Sequence, residues 1–176
     1  MSTDLVLASQ SSRRADLLQQ LGVKFTQVAA DIDESVLAEE TPADYVERMA
    51  REKALRVLVG EACECPVLDA DTCVVLDEQI LGKPVDRMDA MAMLARLAGR
   101  EHRVLTGVSV CSEERQEFRL SETRVQFLAL QRDQVEAYLD TGDPFDEAGA
   151  YGIQGVAGAF VERIDGSYSG VVGLPL

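Results

Sequence analysis

The sequence predicts an α/β fold, a mixed sheet flanked by helices with a central cleft between two lobes, and three observations predict it. An apolar strand near the start runs through a short polar turn into a helical pattern, as in a βα unit. The stretch 67–76 has the length and composition of a buried strand. Two later strand-like segments, joined by a short polar link, read as an antiparallel pair, so the sheet is mixed rather than purely parallel.

The elements follow in order. Leu5-Val6-Leu7-Ala8 is the first strand, and Leu17, Leu18 and Leu21 recur at helical spacing before Gly22, a good helix terminator. Between them lies the hydroxyl-rich turn Ser9-Gln10-Ser11-Ser12. A short strand at 25–29 precedes the acidic loop Asp31-Ile32-Asp33-Glu34, and Thr41-Pro42 reads as an N-cap with proline at the first helical position. In that helix Val46, Met49, Ala50, Ala54 and Val57 form one apolar stripe, and Lys53 falls on the same face, seven residues after Val46. The strand 67–76 is interrupted by Asp69 and Asp71, two residues apart and so on one face of the sheet. Asp77-Glu78 turns it into Gln79-Ile80-Leu81; Gly82-Lys83-Pro84 is a loop, and 86–98 is a helix closed by Gly99. The antiparallel pair is 102–111 and 117–130, linked by Ser112-Glu113-Glu114-Arg115. A helix at 132–139, a glycine-rich stretch from Gly149 to Gly158, a last strand at 159–164 and a short helix opened by Ser167 complete the chain.

A chain of 176 residues with 47% hydrophobic and 27% charged residues is sized and composed as one globular domain, 1–176, without a long disordered tail. No apolar run approaches the roughly 20 residues that span a bilayer, and Met1-Ser2-Thr3-Asp4 lacks the basic start of a signal peptide, so a cytoplasmic location is expected. Cys63, Cys65, Cys73 and Cys111 are too few for a disulfide framework, and the one-residue spacing of the first two does not suit zinc; all four are expected as free thiols. The net charge of −14 disfavours a nucleic-acid polymer or an anionic membrane as partner. A small polyanion is different, because exposed charges are screened beyond roughly 8 Å and only the nearest groups matter.

Four groups of residues could carry chemistry. Ser9, Ser11, Arg13 and Arg14 sit where a strand ends and a helix begins, either as a site for phosphate oxygens or as a helix cap beside solvated arginines. Asp69 and Asp71 lie in apolar strand, where a carboxylate is hydrogen-bonded, salt-bridged or metal-bound, or else faces solvent at the strand end; Glu34 could add an oxygen ligand, a donor set suited to magnesium or manganese. Lys53 and Lys83 are surface lysines when taken singly, but with Arg13 and Arg14 they could surround a triphosphate. The glycine-rich stretch around Gln154 is either a conformationally demanding loop or a reader of a base edge, and it matches neither dinucleotide nor P-loop fingerprints. His102 has no serine–aspartate partner in the sequence and reads as structural.

Taken in order, Ala8-Ser9-Gln10-Ser11-Ser12-Arg13-Arg14, Arg51-Glu52-Lys53-Ala54, Ala70-Asp71-Thr72, Gly82-Lys83-Pro84, Ala148-Gly149-Ala150-Tyr151-Gly152-Ile153-Gln154-Gly155 and Val172-Gly173-Leu174-Pro175 resemble the Maf family of nucleoside triphosphate pyrophosphatases. The resemblance implies a fold similar to inosine triphosphate pyrophosphatase, and attack of water on the α-phosphorus to give a monophosphate and pyrophosphate. It implies Asp71 as the proton acceptor or the holder of that water through a divalent metal, magnesium or manganese, with Glu34 in the same acidic site. Ser9, Ser11, Arg14, Lys53 and Lys83 would hold the phosphates of a nucleoside triphosphate. Arg13, Thr72 and Gln154 stand at three positions where branches differ, and look like the branch acting on dTTP and UTP. A branch similar to 7-methyl-GTP pyrophosphatase tends to have tryptophan, glutamine and glutamate there, and the family has also been linked to regulation of cell division. The resemblance leaves a homodimer open. Two departures stand out: Ser12 replaces the family's usual proline, and the sequence stops after Gly173-Leu174-Pro175, where relatives usually continue through a helix.

Overall fold

In the computed structural model, which describes residues 3–61 and 65–176, the sequence periods become seven strands in one mixed sheet and five α-helices among those residues. β1 (Leu5–Leu7), α1 (Ser12–Gln20) and β2 (Phe25–Gln27) form the opening unit, with β1 parallel to both β2 and β3 (Val67–Leu76). From β3 onward every pairing is antiparallel: β4 (Gln79–Leu81) folds back on its end, β5 (Glu101–Cys111) runs along its length, and β6 (Gln116–Phe127) and β7 (Val161–Asp165) follow, in the order β2-β1-β3-β5-β6-β7. The β3–β4 turn places Asp77 and Glu78 at φ 51° and 61°, the left-handed pair that a two-residue hairpin requires.

Several boundaries differ from those expected, and β2 ends at Gln27 rather than at 29. Leu21 caps α1 and is exposed, because the helix has already ended beneath it. β6 stops at Phe127, where the register against β7 slips; the Leu128 N–H donates to the Phe160 carbonyl, and 128–130 becomes loop. The last strand starts two residues late because Val156–Phe160 is a 3₁₀ turn.

The helix α2 (Pro42–Glu61) lies across β3 and β5 on one face, burying Val46, Met49, Ala50, Ala54 and Val57 as its stripe requires. Its close approach depends on Gly107 of β5. A Cβ there would stand 2.7 Å from the Val46 carbonyl oxygen and 2.8 Å from the Phe118 ring. Gly107 is the cross-strand partner of Asp71, so the helix is seated directly over the aspartate-bearing part of β3.

On the other face α3 (Arg87–Leu97) and α4 (Arg132–Leu139) cover the main core, where Leu94, Leu97, Phe127, Tyr138 and Leu139 are almost fully buried. Each such side chain contributes roughly 1.5–3 kcal/mol by leaving water. α5 (Tyr168–Val172), capped by the Ser167 hydroxyl, packs on α1 and on β5 and β6. Among the described residues no helix is long and apolar enough to cross a membrane. Cys65 and Cys73 are free thiols, as expected, while Cys63 lies outside the described residues.

His102 is structural in placement: it is buried, with Nε2 2.7 Å from the Tyr151 hydroxyl and its ring edge-on to Phe127. Burial pushes its pKa down to about 4 from 6.5. The unfolded chain therefore takes up a proton near pH 6.5 that the folded chain refuses until about pH 4, so stability is lost as pH falls through that window. At about 1.4 kcal/mol per pKa unit the loss is ~3 kcal/mol. Urea unfolding at pH 7 and pH 4 should show the His102→Gln variant losing ~3 kcal/mol less than the wild type; equal losses would place the acid sensitivity elsewhere.

Candidate active site

Of the residues singled out in the sequence, Ser9, Ser11, Arg13, Arg14, Glu34, Lys53, Asp71, Thr72, Lys83 and Gln154 line one cavity of about 540 Å³, and Asp69 does not. The groove lies at the end of β1, over the middle of β3 and under the glycine-rich stretch, so separate chain segments contribute opposite walls.

Lys53 is the centre of charge. It projects from α2 onto β3, and its Nζ lies 2.7 Å from Asp71 Oδ1 and 2.8 Å from Glu34 Oε1. Burial alone would lower the lysine pKa, but the Asp71 carboxylate, helped by Glu34, outweighs it and the net shift is upward; the ammonium stays charged. Burial raises the pKa of Asp71, opposed by Lys53 and Arg14. Asp71 is therefore a buried carboxyl group in direct contact with a charged lysine. The neighbouring Asp69 shares its face of β3 and is fully buried, and among the described residues no side chain pairs with its carboxylate. Burial pushes its pKa up to about 8 against the pull of Arg14 and Lys53, so it carries little charge at neutral pH.

The first turn of α1 supplies the next wall. Ser11 is its N-cap, accepting from the Arg14 N–H, and Ser9 accepts from the Ser11 N–H. The Arg14 guanidinium reaches three segments at once: Nε donates to the Gly173 carbonyl (2.9 Å), and its two terminal nitrogens donate to Ser9 Oγ (3.1 Å) and Thr72 Oγ1 (3.3 Å). Thr72 in turn meets Thr106 Oγ1 at 2.9 Å, and Thr106 donates to the Gly170 carbonyl. Arg14 is thus a brace between α1, β3 and the α5 end as well as a cation facing the cavity.

Two acidic residues were missed by sequence reasoning. Arg13 is ion-paired to Glu147, and Lys83 Nζ stands 2.5 Å from Asp146. Lys83 holds the Asp146 carboxyl below its usual range, whereas burial raises Glu147 despite Arg13. The turn Asp143–Asp146 follows Gly142 at φ 84° and carries both carboxylates back to the cavity mouth. The signal available was the acidic run immediately before the glycine-rich stretch. In that stretch Gly149 adopts φ 68° with Val74 where a Cβ would stand, which brings the loop holding Gln154 down onto β3.

The donors present suit a divalent cation only in part-shell form. Among the described residues no group of three or more His, Cys, Asp or Glu is placed to hold a metal ion. Glu34 and Asp71 both contact the Lys53 ammonium, each through one oxygen, and each keeps a second hard carboxylate oxygen that such an ion could take. Magnesium commonly takes one or two protein carboxylates and completes its shell with water and substrate phosphate, so the pair fits such an ion bound together with a nucleotide.

Known proteins share both the fold and the sequence. A HAM1 protein from Coxiella burnetii superposes with a TM-score of 0.50 at 18% identity, covering 74% of this chain and 76% of that one, which bears out the fold expected from the resemblance. The dTTP/UTP pyrophosphatase of Methylobacillus flagellatus is 53% identical over 175 residues, 99% of this chain and 88% of that protein. The dTTP/UTP pyrophosphatase of Alcanivorax borkumensis is 54% identical over 176 residues, 98% of this chain and 90% of that protein. The sequence model of one family, described as Maf-like protein, matches residues 4–176, and with these relatives it establishes that the chain belongs to the Maf-like protein family.

Proposed function

We propose that this chain is a nucleoside triphosphate pyrophosphatase that hydrolyses dTTP and UTP to the monophosphate and pyrophosphate. The observation that carries the reading is the Lys53 bridge: one buried cation holds Asp71 and Glu34 at hydrogen-bonding distance inside a cavity whose other walls carry Arg13, Arg14 and Lys83. The relatives with about half their residues in common are named for the same activity.

The residues divide the work by charge. Arg13, Arg14, Lys83 and the hydroxyls of Ser9 and Ser11 bind the triphosphate, and Lys83 and Arg13 exchange their Asp146 and Glu147 partners for phosphate oxygens. Such contacts gain strength as substrate excludes water. Asp71 orients the attacking water and takes its proton, within reach of Lys53, which stabilises the carboxylate before the step. Gln154 reads the nucleoside, since its amide can both donate to and accept from a pyrimidine edge, and Thr72 steadies Arg14 for the phosphates. Glu34 and Asp71 would hold a divalent metal, magnesium or manganese, which when bound neutralises phosphate charge. The cytoplasm, reducing and rich in nucleotides, is the compartment this reading assigns.

The assay is release of pyrophosphate from dTTP, UTP and 7-methyl-GTP, each with magnesium or manganese. Faster turnover of dTTP and UTP is expected. A preference for 7-methyl-GTP would overturn the specificity, and tight triphosphate binding without turnover would overturn the enzymatic reading in favour of a nucleotide-binding regulator.

A further inference from the structure

Glu34 stands on a segment that has no regular secondary structure between residues 28 and 37, and its side chain is 59% exposed. An ion pair to Lys53 whose carboxylate is this open to solvent does little by itself to order such a segment, because side-chain entropy and solvent screening consume most of its gain. Something else holds the loop over the cavity. The contacts that do so converge on Arg48, one turn into α2 from Tyr45. Its Nε and one terminal nitrogen grip Glu40 through both carboxylate oxygens, at 2.6 and 2.8 Å, in the bidentate geometry that favours arginine. The Glu40 side chain is 7% exposed, so this clamp is shielded from the screening that weakens the Glu34 pair. The same terminal nitrogen donates to the Ser35 carbonyl at 2.9 Å. The guanidinium also lies over the Tyr45 ring, 5.7 Å from its centroid, and the Tyr45 hydroxyl donates to the Glu34 carbonyl at 3.1 Å. Two successive backbone carbonyls, at Glu34 itself and at the next residue, are therefore pinned to α2, the helix that also carries Lys53. Neither Arg48 nor Glu40 lines the cavity.

We propose that Arg48 is a positioning residue for the reaction: with Glu40 and Tyr45 it straps the 28–40 segment to α2, and so places the Glu34 carboxylate against Lys53 and Asp71. It acts through Glu34 alone and touches no substrate. The proposal rests on the pyrophosphatase reading, and the test separates the two.

Steady-state kinetics on dTTP are compared for wild type, Arg48→Ala, Glu34→Gln and the double variant. Misplacing a group that must be held in register costs up to about 100-fold, so Arg48→Ala is expected to lower kcat by ~10- to 100-fold, with KM changed by less than ~3-fold because the phosphate contacts are untouched. In the Glu34→Gln background the same change should cost less than ~2-fold further, since the group being positioned is already gone. The milder Glu40→Gln, which weakens the same clamp, should follow in the same direction. Hydrogen exchange, which needs no turnover, should show faster exchange at 30–37 in Arg48→Ala with the rest of α2 and the sheet unchanged. Additive losses in the double variant, wild-type kcat in Arg48→Ala, or exchange raised throughout the chain would overturn the positioning role. A wild type without turnover whose exchange still follows this pattern would overturn the enzymatic reading and leave the strap standing.

Discussion

Replacing Asp71 by Asn is expected to lower pyrophosphate release from dTTP by ~10²- to 10⁴-fold, the range in which a positioned general base contributes. The substitution keeps the volume and one hydrogen-bond acceptor, so the Lys53 contact seen at 2.7 Å can persist in neutral form while the capacity to take a proton disappears. Triphosphate affinity should change much less than turnover, because Arg13, Arg14 and Lys83 lie on other segments of the cavity wall. Pyrophosphate release and equilibrium binding of dTTP, measured on the same preparation, separate the two quantities. Turnover at the wild-type rate would remove Asp71 from its role.

Lys53→Met should have a comparable effect on activity and a larger one on stability. Methionine matches the length of the buried stem but leaves the Asp71 carboxylate, 10% exposed, and its neighbour Glu34 without their shared cation. Removing one partner of a buried ion pair typically costs about 3–5 kcal/mol, which for a chain of this size lowers Tm by roughly 6–20 °C. Loss of this preorganised charge is expected to reduce kcat/KM by ~10²- to 10³-fold. The double variant Lys53→Met/Asp71→Asn is the control. It no longer buries an unpaired carboxylate at position 71, so it should regain part of the lost Tm while recovering no turnover. Calorimetry on the three variants checks this order, and a double variant less stable than Lys53→Met would mean that the 53–71 contact is not the source of the loss.

The secondary structure was largely legible because its signals are local. The strand at 67–76 emerged as β3 with the expected ends, and Asp86, Ser11 and Ser167 cap their helices as their side chains suit them to do. One error fell where a distant segment decides: β6 was cut short at Phe127 by Phe160, whose carbonyl takes the Leu128 N–H. The site divides the same way. The period of two put Asp69 and Asp71 on one face, and helical spacing put Lys53 in the buried stripe of α2, so an ionic centre within the core was foreseeable. That Asp69 would be left unpaired while Asp71 took the lysine was not, because it depends on which turn of α2 crosses which residue of β3.

From its residues alone this protein disclosed its α/β class, its chemically able side chains and the family to which their order belongs, since hydrophobic period, capping and motif spacing are properties of neighbouring positions. Only the folded chain decided that Lys53 meets Asp71 and Glu34, that Arg13 and Lys83 are paired by Asp146 and Glu147, and that Arg48 secures the loop above them. The Lys53 contacts exist because a glycine at 107 lets α2 settle onto the sheet closely enough for its lysine to reach β3, and the Arg13 and Lys83 pairs join residues far apart in the chain, which only folding brings together.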